Sequence, residues 1–314
     1  MNALARGVDF FDLNFLGTPG VIATGLLHGA DGIAVVDPGP STTIPAIEAG
    51  LAARGFGPAD VRAILITHIH LDHAGATGVL AARFPHATVY VHERGAAHMI
   101  DPSKLVASAS RLYGADMERL WGEIRPVPAD RVHVLRAGLD GVDAERLRIA
   151  GHDVEIAYTP GHAIHHVSYF LPESGIAFVG DTGGICRASG RIVLPATPPP
   201  DIDLEAWTAS TARILAWHPH TLFLTHFGPQ PSPALHFQDF WRRMEEWSRR
   251  VQAGLAKPAS DAERADEFMA AVMDELVRAT NRAEAEAYVS AGRFDFSWAG
   301  LARYWRKREA KAAS

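Results

Sequence analysis

The side chains best suited to chemistry in this sequence are concentrated in the segment 67–75. It reads THIHLDHAG and contains four potential metal ligands in six residues: His68, His70, Asp72 and His73. Neutral imidazoles bind a borderline cation such as Zn²⁺, and carboxylates supply the negative charge that lets one site hold two cations. A single histidine is more often an ordinary hydrogen-bonded group, but four such side chains in one short run indicate a metal site.

The spacing of these residues indicates two adjacent cation positions. His68 and His70 point the same way if the chain is extended there, because side chains alternate along a strand. Asp72 and His73 begin the next turn and helix and therefore face a second position nearby. Gly75 allows the backbone to turn closely, and the helix N-terminus favours an anionic ligand such as a substrate or hydroxide.

The ligand segment follows a buried strand, and the surrounding sequence alternates strands with helices. Runs rich in β-branched residues predict strands at 21–27, 33–37, 63–67, 88–92, 154–158, 167–171, 176–180 and 221–225. Helices are predicted at 43–54, 75–83 and 204–217, and two or three short helices are predicted within 93–123. Turn residues at 30–32 and 172–175 predict hairpins, so part of the sheet structure should be antiparallel. The expected fold class is α/β, with sheets covered by helices.

The character of the sequence changes after the proline-rich segment 229–233. From residue 234 onward we find helical apolar stripes and no strand pattern. We therefore predict a catalytic domain over residues 1–233 and a C-terminal helical extension over residues 234–314. The stripes favour packing against the main domain, with a pocket wall or a dimer face as alternatives. The segment 195–200, PATPPP, is predicted to be an extended loop.

Composition limits the class of protein. The chain has 314 residues, of which 30 are Lys or Arg and 36 are Asp or Glu, so no broad basic surface is expected and nucleic acid is not expected as a partner. The single cysteine, Cys186, cannot form an intrachain disulfide, which is typical of a reducing compartment. No signal-peptide pattern or membrane-spanning run is found, so we expect a cytoplasmic protein without a membrane partner.

The sequence resembles the metallo-β-lactamase-fold hydrolases, whose branches include glyoxalase II and the N-acyl-homoserine lactonases. THIHLDHAG matches the H-x-H-x-D-H signature of that family. The other family elements occur in the expected order, with Asp37 in VVDPG, His162 in TPGHAIHH, Asp181 in FVGDT and His226 in LTHFGP. The resemblance covers about residues 20–230 and implies a four-layer αββα sandwich, with the site at one edge of its two sheets.

The resemblance also implies roles for the matching residues. It assigns one metal to His68, His70 and His162, the other to Asp72, His73 and His226, and a bridging carboxylate to Asp181. Asp37 matches a family position that supports a ligand loop through hydrogen bonds. His165 and His166 follow His162 closely; for both, a role in supporting ligands or lining the pocket is weighed against an ordinary hydrogen-bonded histidine, and His166 is the one predicted to support the ligands.

The other reactive or aromatic side chains are expected to be structural. Histidines expected in the core or on the surface are His28, His86, His92, His98, His133, His152, His218, His220 and His236. Cys186 is expected to be an inert apolar residue, with pocket lining as the alternative. Tyr113, Met117 and Trp121 are candidates for a roofed, partly hydrophobic pocket, although their helical spacing favours core packing.

The charges of the site predict its mechanism. The positive charge of two divalent cations exceeds the negative charge of Asp72 and Asp181. A solvent molecule bound there should therefore ionise near neutral pH. A metal-bridging hydroxide would then attack the substrate, and Asp72 is the predicted catalytic residue, either orienting that hydroxide or passing a proton to the leaving group. Zinc is the first expectation for both ions, and iron or manganese are alternatives.

These inferences lead to one main hypothesis, a binuclear metal-dependent hydrolase of an ester, thioester or lactone with a small-molecule substrate. In the family resembled, β-lactamases have Cys or Ser where this chain has Asp181, and nucleases insert large domains before the residue that matches His226. Both activities are therefore disfavoured. A phosphoesterase, a mononuclear iron enzyme resembling the sulfur dioxygenases of the fold, and a non-catalytic metal-binding protein stay open. A homodimer is also left open.

Overall fold

The computed structural model describes residues 2–138, 145–188, 192–292 and 294–312. These residues form thirteen strands, which are β1 (Asn2–Ala5), β2 (Val8–Asp12), β3 (Ala23–Gly29), β4 (Gly32–Val36), β5 (Val61–Leu65), β6 (Thr88–His92), β7 (Val132–Leu135), β8 (Glu145–Ile149), β9 (His152–Tyr158), β10 (Val167–Leu171), β11 (Ile176–Phe178), β12 (Thr221–Leu224) and β13 (Gly228–Pro231). The α-helices are α1 (Ile44–Ala52), α2 (Leu71–Ala74), α3 (Thr77–Arg83), α4 (Glu93–Ile100), α5 (Ser103–Tyr113), α6 (Met117–Trp121), α7 (Leu204–Ala216), α8 (Pro233–Leu255), α9 (Asp261–Ala279), α10 (Arg282–Gly292) and α11 (Phe294–Ala312).

The strands form two mixed sheets. The first has the order β1-β2-β3-β4-β5-β6-β7, and the second has the order β13-β12-β11-β10-β9-β8. The hairpins β3–β4 and β10–β11 are antiparallel, as their turn residues predict, whereas β4, β5, β6 and β7 run parallel. All eight predicted strands are present, and each differs from its predicted bounds by no more than two residues at either end.

Apolar side chains fill three layers. One cluster lies between the sheets and joins β2 to β12 through contacts such as Phe10 with Phe223. A second cluster lies between the first sheet and helices α1 and α3, and a third lies between the second sheet and helices α7 to α11. Two sheets packed face to face with helices outside each one constitute the expected αββα sandwich.

Five strands were not predicted, and for two of them, β8 and β13, the sequence explains why. β8 has the sequence ERLRI and lies at an edge, where its charged side chains alternate with partly buried ones. β13 has the sequence GPQP, and proline is tolerated there because this strand is also an edge strand. A strand covers Gly228–Pro231 and α8 begins at Pro233, so most of the proline-rich segment 229–233 belongs to the second sheet.

The helix predicted at 75–83 is present as α3, which begins at Thr77, and a separate short helix, α2, precedes it. The break at Gly75 and Ala76 is held by the loop after β4, because the Ala76 amide donates to Gly39 O at 2.8 Å. The Gly39 amide in turn donates to His73 O at 2.9 Å. These two bonds fix α2, which carries two of the predicted ligands, against the end of the neighbouring strand.

The C-terminal helices pack on the outer face of the second sheet, as their apolar stripes predict. Trp247 of α8 is fully buried, and its ring lies 5.4 Å from those of both Phe268 and Phe294. The division into domains at residues 233 and 234 stays a prediction, and both of its ranges include residues outside those described. Every helix of the described residues is too short or too polar to cross a bilayer.

Trp247→Ala should lower the free energy of unfolding by about 3–5 kcal/mol, because it removes a fully buried aromatic side chain and leaves a cavity. Urea denaturation followed by circular dichroism measures this change. Leu235→Ala is the matched control, since Leu235 lies on the same helix and is 65% exposed, and it should change the stability by less than about 0.5 kcal/mol. Equal losses in the two variants would contradict the role given to α8.

Candidate metal centre

Each predicted ligand comes from a segment that follows the carboxyl end of a strand. His68 and His70 follow β5, and α2, which carries Asp72 and His73, comes next. His162, Asp181 and His226 follow β9, β11 and β12 respectively. Because β9 and β11 both run antiparallel to β10, and β12 is parallel to β11, these three strands end at the same edge of the second sheet. All seven predicted ligands meet at this edge of the sandwich.

Three histidines form the first group. Nδ1 of His70 lies 3.0 Å from Nε2 of His68 and 3.0 Å from Nε2 of His162. His68 and His162 are buried, whereas His70 is partly exposed. The three ligand atoms lie within 4.8 Å of one another, which is close enough to hold one metal ion.

Asp72, His73 and His226 form the second group. Nε2 of His226 lies 3.2 Å from Oδ2 of Asp72, and Nε2 of His73 lies 3.9 Å from the same oxygen. The side chain of Asp72 is 28% exposed, whereas His73 is completely buried. This group also has its ligand atoms within 4.8 Å of one another.

Asp181 lies between the two groups. Its Oδ1 is 3.1 Å from Nε2 of His73 and 3.7 Å from Nε2 of His226, and its Oδ2 is 3.5 Å from Nε2 of His162. One carboxylate therefore approaches imidazoles of both groups. This is the position that the family resemblance implies for a bridging residue.

Asp37 accepts a set of hydrogen bonds from residues next to the candidate ligands. Its carboxylate accepts from Thr67 N at 2.8 Å, from Thr67 Oγ1 at 2.7 Å, from Thr225 Oγ1 at 2.6 Å and from His73 Nδ1 at 2.9 Å. Asp37 is 1% exposed. A single buried carboxylate thus joins the loop after β5, the end of β12 and the candidate ligand His73 on α2.

Backbone carbonyls orient two of the predicted ligands, His162 and His226. The sequence analysis did not predict these two hydrogen bonds. Nδ1 of His162 donates to Ala196 O at 2.8 Å, and Nδ1 of His226 donates to Val21 O at 2.8 Å. Each bond leaves Nε2 directed at the centre and fixes the tautomer. A carbonyl has no sequence signature, so only the fold reveals these contacts.

His165 and His166 both contact His68. The ring of His166 is stacked 5.0 Å from that of His68, and its Nδ1 lies 2.9 Å from Thr159 Oγ1. The ring of His165 lies 6.1 Å from that of His68, and His165 also lines the cavity above the site. His166 therefore lies beside a candidate ligand, and its supporting role stays a prediction.

The electrostatics of the site are those of carboxylates surrounded by imidazoles. Burial alone would raise the pKa of Asp72, but His73 and His226 outweigh it and hold that pKa at about 2. Burial likewise opposes ionisation of Asp181, and the same histidines together with His162 hold its pKa well below the usual range. Both carboxylates are ionised at neutral pH.

The histidines divide into two kinds. Burial lowers the pKa of His68 far below its ordinary value and that of His70 to about 3, and neighbouring imidazoles add to the effect. Burial would also lower the pKa of His73 and His226, but Asp181 and Asp72 outweigh it and raise both values. Neutral imidazoles therefore sit beside an anionic pair that attracts positive charge.

The donor set fits divalent cations. Nε2 of His73 and Oδ1 of Asp181 are buried and lie 3.1 Å apart, and neither has a hydrogen-bond partner of good geometry in the described structure. Buried polar groups are nearly always satisfied, so these two atoms fit a site for a cation that both would contact. Imidazole nitrogen and carboxylate oxygen are both ligands for zinc.

A cavity of about 670 Å³ lies over the site. The candidate ligands that line it are His70, Asp72, His162, Asp181 and His226. Tyr113 and Trp121 line it as well, so these two aromatic residues contribute to a pocket, whereas Met117 packs beside them outside the lining. The prediction for His98 was incomplete, because this histidine also lines the cavity.

Cys186 lies in the core outside the cavity lining, with 3% of its surface exposed. Burial raises the pKa of its thiol to about 12. A thiol in this state is not a nucleophile at neutral pH, which agrees with the inert role predicted for it.

Comparison with known proteins identifies the family. The model of the metallo-beta-lactamase superfamily matches residues 17–226. The chain belongs to this superfamily. Among curated superfamily relatives, a hydroxyacylglutathione hydrolase from Synechococcus sp. (strain JA-3-3Ab) is 33% identical over 149 residues, which cover 48% of this chain and 43% of the relative. A metallo-beta-lactamase fold-containing protein from Sulfurisphaera tokodaii is 28% identical over 169 residues, which cover 52% of this chain and 60% of that protein.

Solved structures of the superfamily show the same fold. A metallo-beta-lactamase family protein from Thermus thermophilus has a TM-score of 0.70 at 22% identity, and the alignment covers 98% of this chain and 96% of that one. The alignment therefore includes the C-terminal helices. The chain spans about half the length of the curated relatives that it matches.

The C-terminal helix α11 helps to place one candidate ligand, His162. Gly300 packs so closely on the loop before α7 that a methyl group there would overlap the carbonyl oxygen of Thr197. Thr197 Oγ1 donates to Ser297 O at 3.2 Å, and the preceding residue, Ala196, is the acceptor for His162. The packing of α11 is therefore coupled to the orientation of His162.

Gly300→Ala should displace this loop and weaken metal binding by about 10-fold. This is the lower end of the range for loss of a group that orients a ligand, because Gly300 acts on His162 only through the loop that carries Ala196. A competitive titration with a chromogenic chelator measures the affinity. Gly254→Ala on α8 is the control, because a methyl group there meets no atom within 4 Å. That variant should keep its metal affinity, and a similar loss in both would disprove the coupling.

Proposed function

We propose that this chain is a metal-dependent hydrolase that holds two divalent ions, zinc in the first place, and cleaves an ester, thioester or lactone of a small molecule. The observation that carries the proposal is the convergence of seven side chains in two groups with Asp181 between them. His68, His70 and His162 would hold one ion, and Asp72, His73 and His226 would hold the other. A bound divalent cation lowers the pKa of a coordinated water and polarises a carbonyl oxygen.

Asp72 is the proposed catalytic residue. It is the more exposed of the two carboxylates, since 28% of its side chain is accessible against 6% for Asp181, and it borders the cavity. Its carboxylate lies where it can orient an attacking water or pass a proton to the leaving group.

The other polar residues hold this arrangement in place. Asp37 keeps His73 and the segment before His68 in position, and Ala196 O does the same for His162. No step of the reaction needs a nucleophilic side chain. The cavity, whose walls include apolar residues of the inserted helices and Phe296 of α11, lowers access of bulk water to the substrate carbonyl.

Two features favour this proposal over its alternatives. The second group, Asp72, His73 and His226, is as compact as the first, which favours two ions over the single iron of a dioxygenase. The curated relatives include hydroxyacylglutathione hydrolases, and these support a thioester among the three bond types.

Metal reconstitution followed by a substrate panel tests the proposal. Protein stripped with a chelator would be loaded with zinc, iron or manganese and assayed on esters, thioesters, lactones and phosphoesters. We expect hydrolysis of a carboxylic ester, thioester or lactone that is lost on chelation and restored by metal. One iron per chain with oxygen consumption would support the dioxygenase instead, and tight metal binding without turnover would support a non-catalytic protein.

A further inference from the structure

Exposed apolar side chains are concentrated at the mouth of the cavity, beside charged residues such as Arg94, Lys104 and Arg119. Among the described residues, five large hydrophobic side chains are exposed, and three of them line the cavity: Leu16 at 46%, Leu112 at 39% and Ile164 at 43%. The other two, Ile100 and Leu235, lie outside it. Exposed apolar side chains gathered in one place mark a surface that binds an apolar partner, whereas single ones scattered over a surface need no explanation.

Aromatic residues from distant parts of the chain build the wall behind this rim. The ring of Trp121 lies 5.9 Å from that of Phe15 and 5.0 Å from that of Tyr113. Tyr113 in turn contacts Phe296 of α11 at 5.6 Å. The inserted helices and the C-terminal extension therefore enclose the cavity together, and the extension is part of the pocket.

The size of the cavity exceeds what a small acyl group needs. Pockets of about 300–1,000 Å³ accommodate drug-sized ligands, and this cavity lies in that range at about 670 Å³. An acetyl or lactoyl group beside Asp72 and His162 would leave Leu112, Phe296 and Trp121 without contact. An extended apolar group would cover them.

We propose that the acyl group of the substrate is an extended apolar chain, which lies between α5, α6 and α11 while its carbonyl meets the metal centre. This inference rests on the proposed hydrolase function and specifies its substrate class. The occupant is an acyl chain rather than a second copy of this protein, because the apolar surface continues inward from the rim to the aromatic wall and the candidate ligands.

A series of p-nitrophenyl esters tests the chain length. Each buried methylene contributes enough that kcat/KM should rise by about 100-fold from the butyrate to the octanoate ester. Leu112→Ser should lower the octanoate value by about 10-fold and reduce the ratio of the octanoate to the butyrate value. Ile100→Ser is the matched control, since Ile100 is 38% exposed on the neighbouring helix but outside the cavity, and it should have no effect.

The outcomes separate this inference from the proposed function. Equal rates for butyrate and octanoate would overturn the acyl-chain proposal while the hydrolase proposal stands. If no ester is cleaved, calorimetric titration of metal-free protein with decanoate tests whether the cavity binds an acyl chain. Saturable binding that Leu112→Ser weakens would support the proposal, and the absence of binding would overturn it. A change in sedimentation of Leu112→Ser without a change in chain-length preference would assign the rim to a protein interface and also overturn the proposal.

Discussion

Asp181→Asn should reduce hydrolysis by at least about 1,000-fold, if Asp181 binds both ions of the proposed centre. Asparagine has nearly the same shape as aspartate, so the substitution removes charge and leaves packing unchanged. Asp181 approaches His73, His162 and His226, so the substitution removes negative charge from the middle of the candidate ligands. The metal content should fall with the activity.

Steady-state kinetics and elemental analysis of the same preparation measure both quantities. Asp153→Asn is the control, because Asp153 is an exposed carboxylate that pairs with Arg148 away from the site, and it should retain full activity and metal. If Asp181→Asn kept two ions and near-normal turnover, Asp181 would have no bridging role.

Asp37→Asn should weaken metal binding by about 10- to 100-fold, the range found when a residue that orients a ligand is lost. It should also lower the free energy of unfolding by about 2–5 kcal/mol, since a buried carboxylate that accepts four hydrogen bonds cannot be replaced by an amide without leaving donors unpaired. The backbone is not the cause of this loss, because Asp37 has a φ of 49° and asparagine tolerates that region well.

Chelator competition and urea denaturation measure the two effects separately. Thr225→Val removes one of the donors to Asp37 and should produce a smaller loss of both quantities. A smaller effect in Asp37→Asn than in Thr225→Val would show that the threonine, rather than the carboxylate, organises this part of the site.

The candidate ligands could be predicted because their signals are local. His68, His70, Asp72 and His73 occur together in sequence, and a β-branched run precedes each of the other predicted ligands. Parallel strands bring such positions to one edge of a sheet, so a correct reading of the strands already places the residues near one another. The resemblance to a known family then divided them into two groups, and the structure places each group within the reach of one ion.

The surroundings of the site could not be predicted, because they depend on contacts between distant segments. Phe296 meets Tyr113 across more than half of the chain, and nothing in either local sequence indicates the partner. His98 lines the cavity only because of how α4 packs. The edge strands β8 and β13 lack the apolar runs that identify buried strands, since one of their sides faces solvent.

The most direct test of the two-ion centre is a crystal structure of zinc-loaded protein with anomalous diffraction data collected on both sides of the zinc edge. We expect two anomalous peaks, one among His68, His70 and His162 and the other among Asp72, His73 and His226, with Asp181 in contact with both. A single peak, or peaks elsewhere while these side chains bind nothing, would contradict the proposed centre and the hydrolase function built on it.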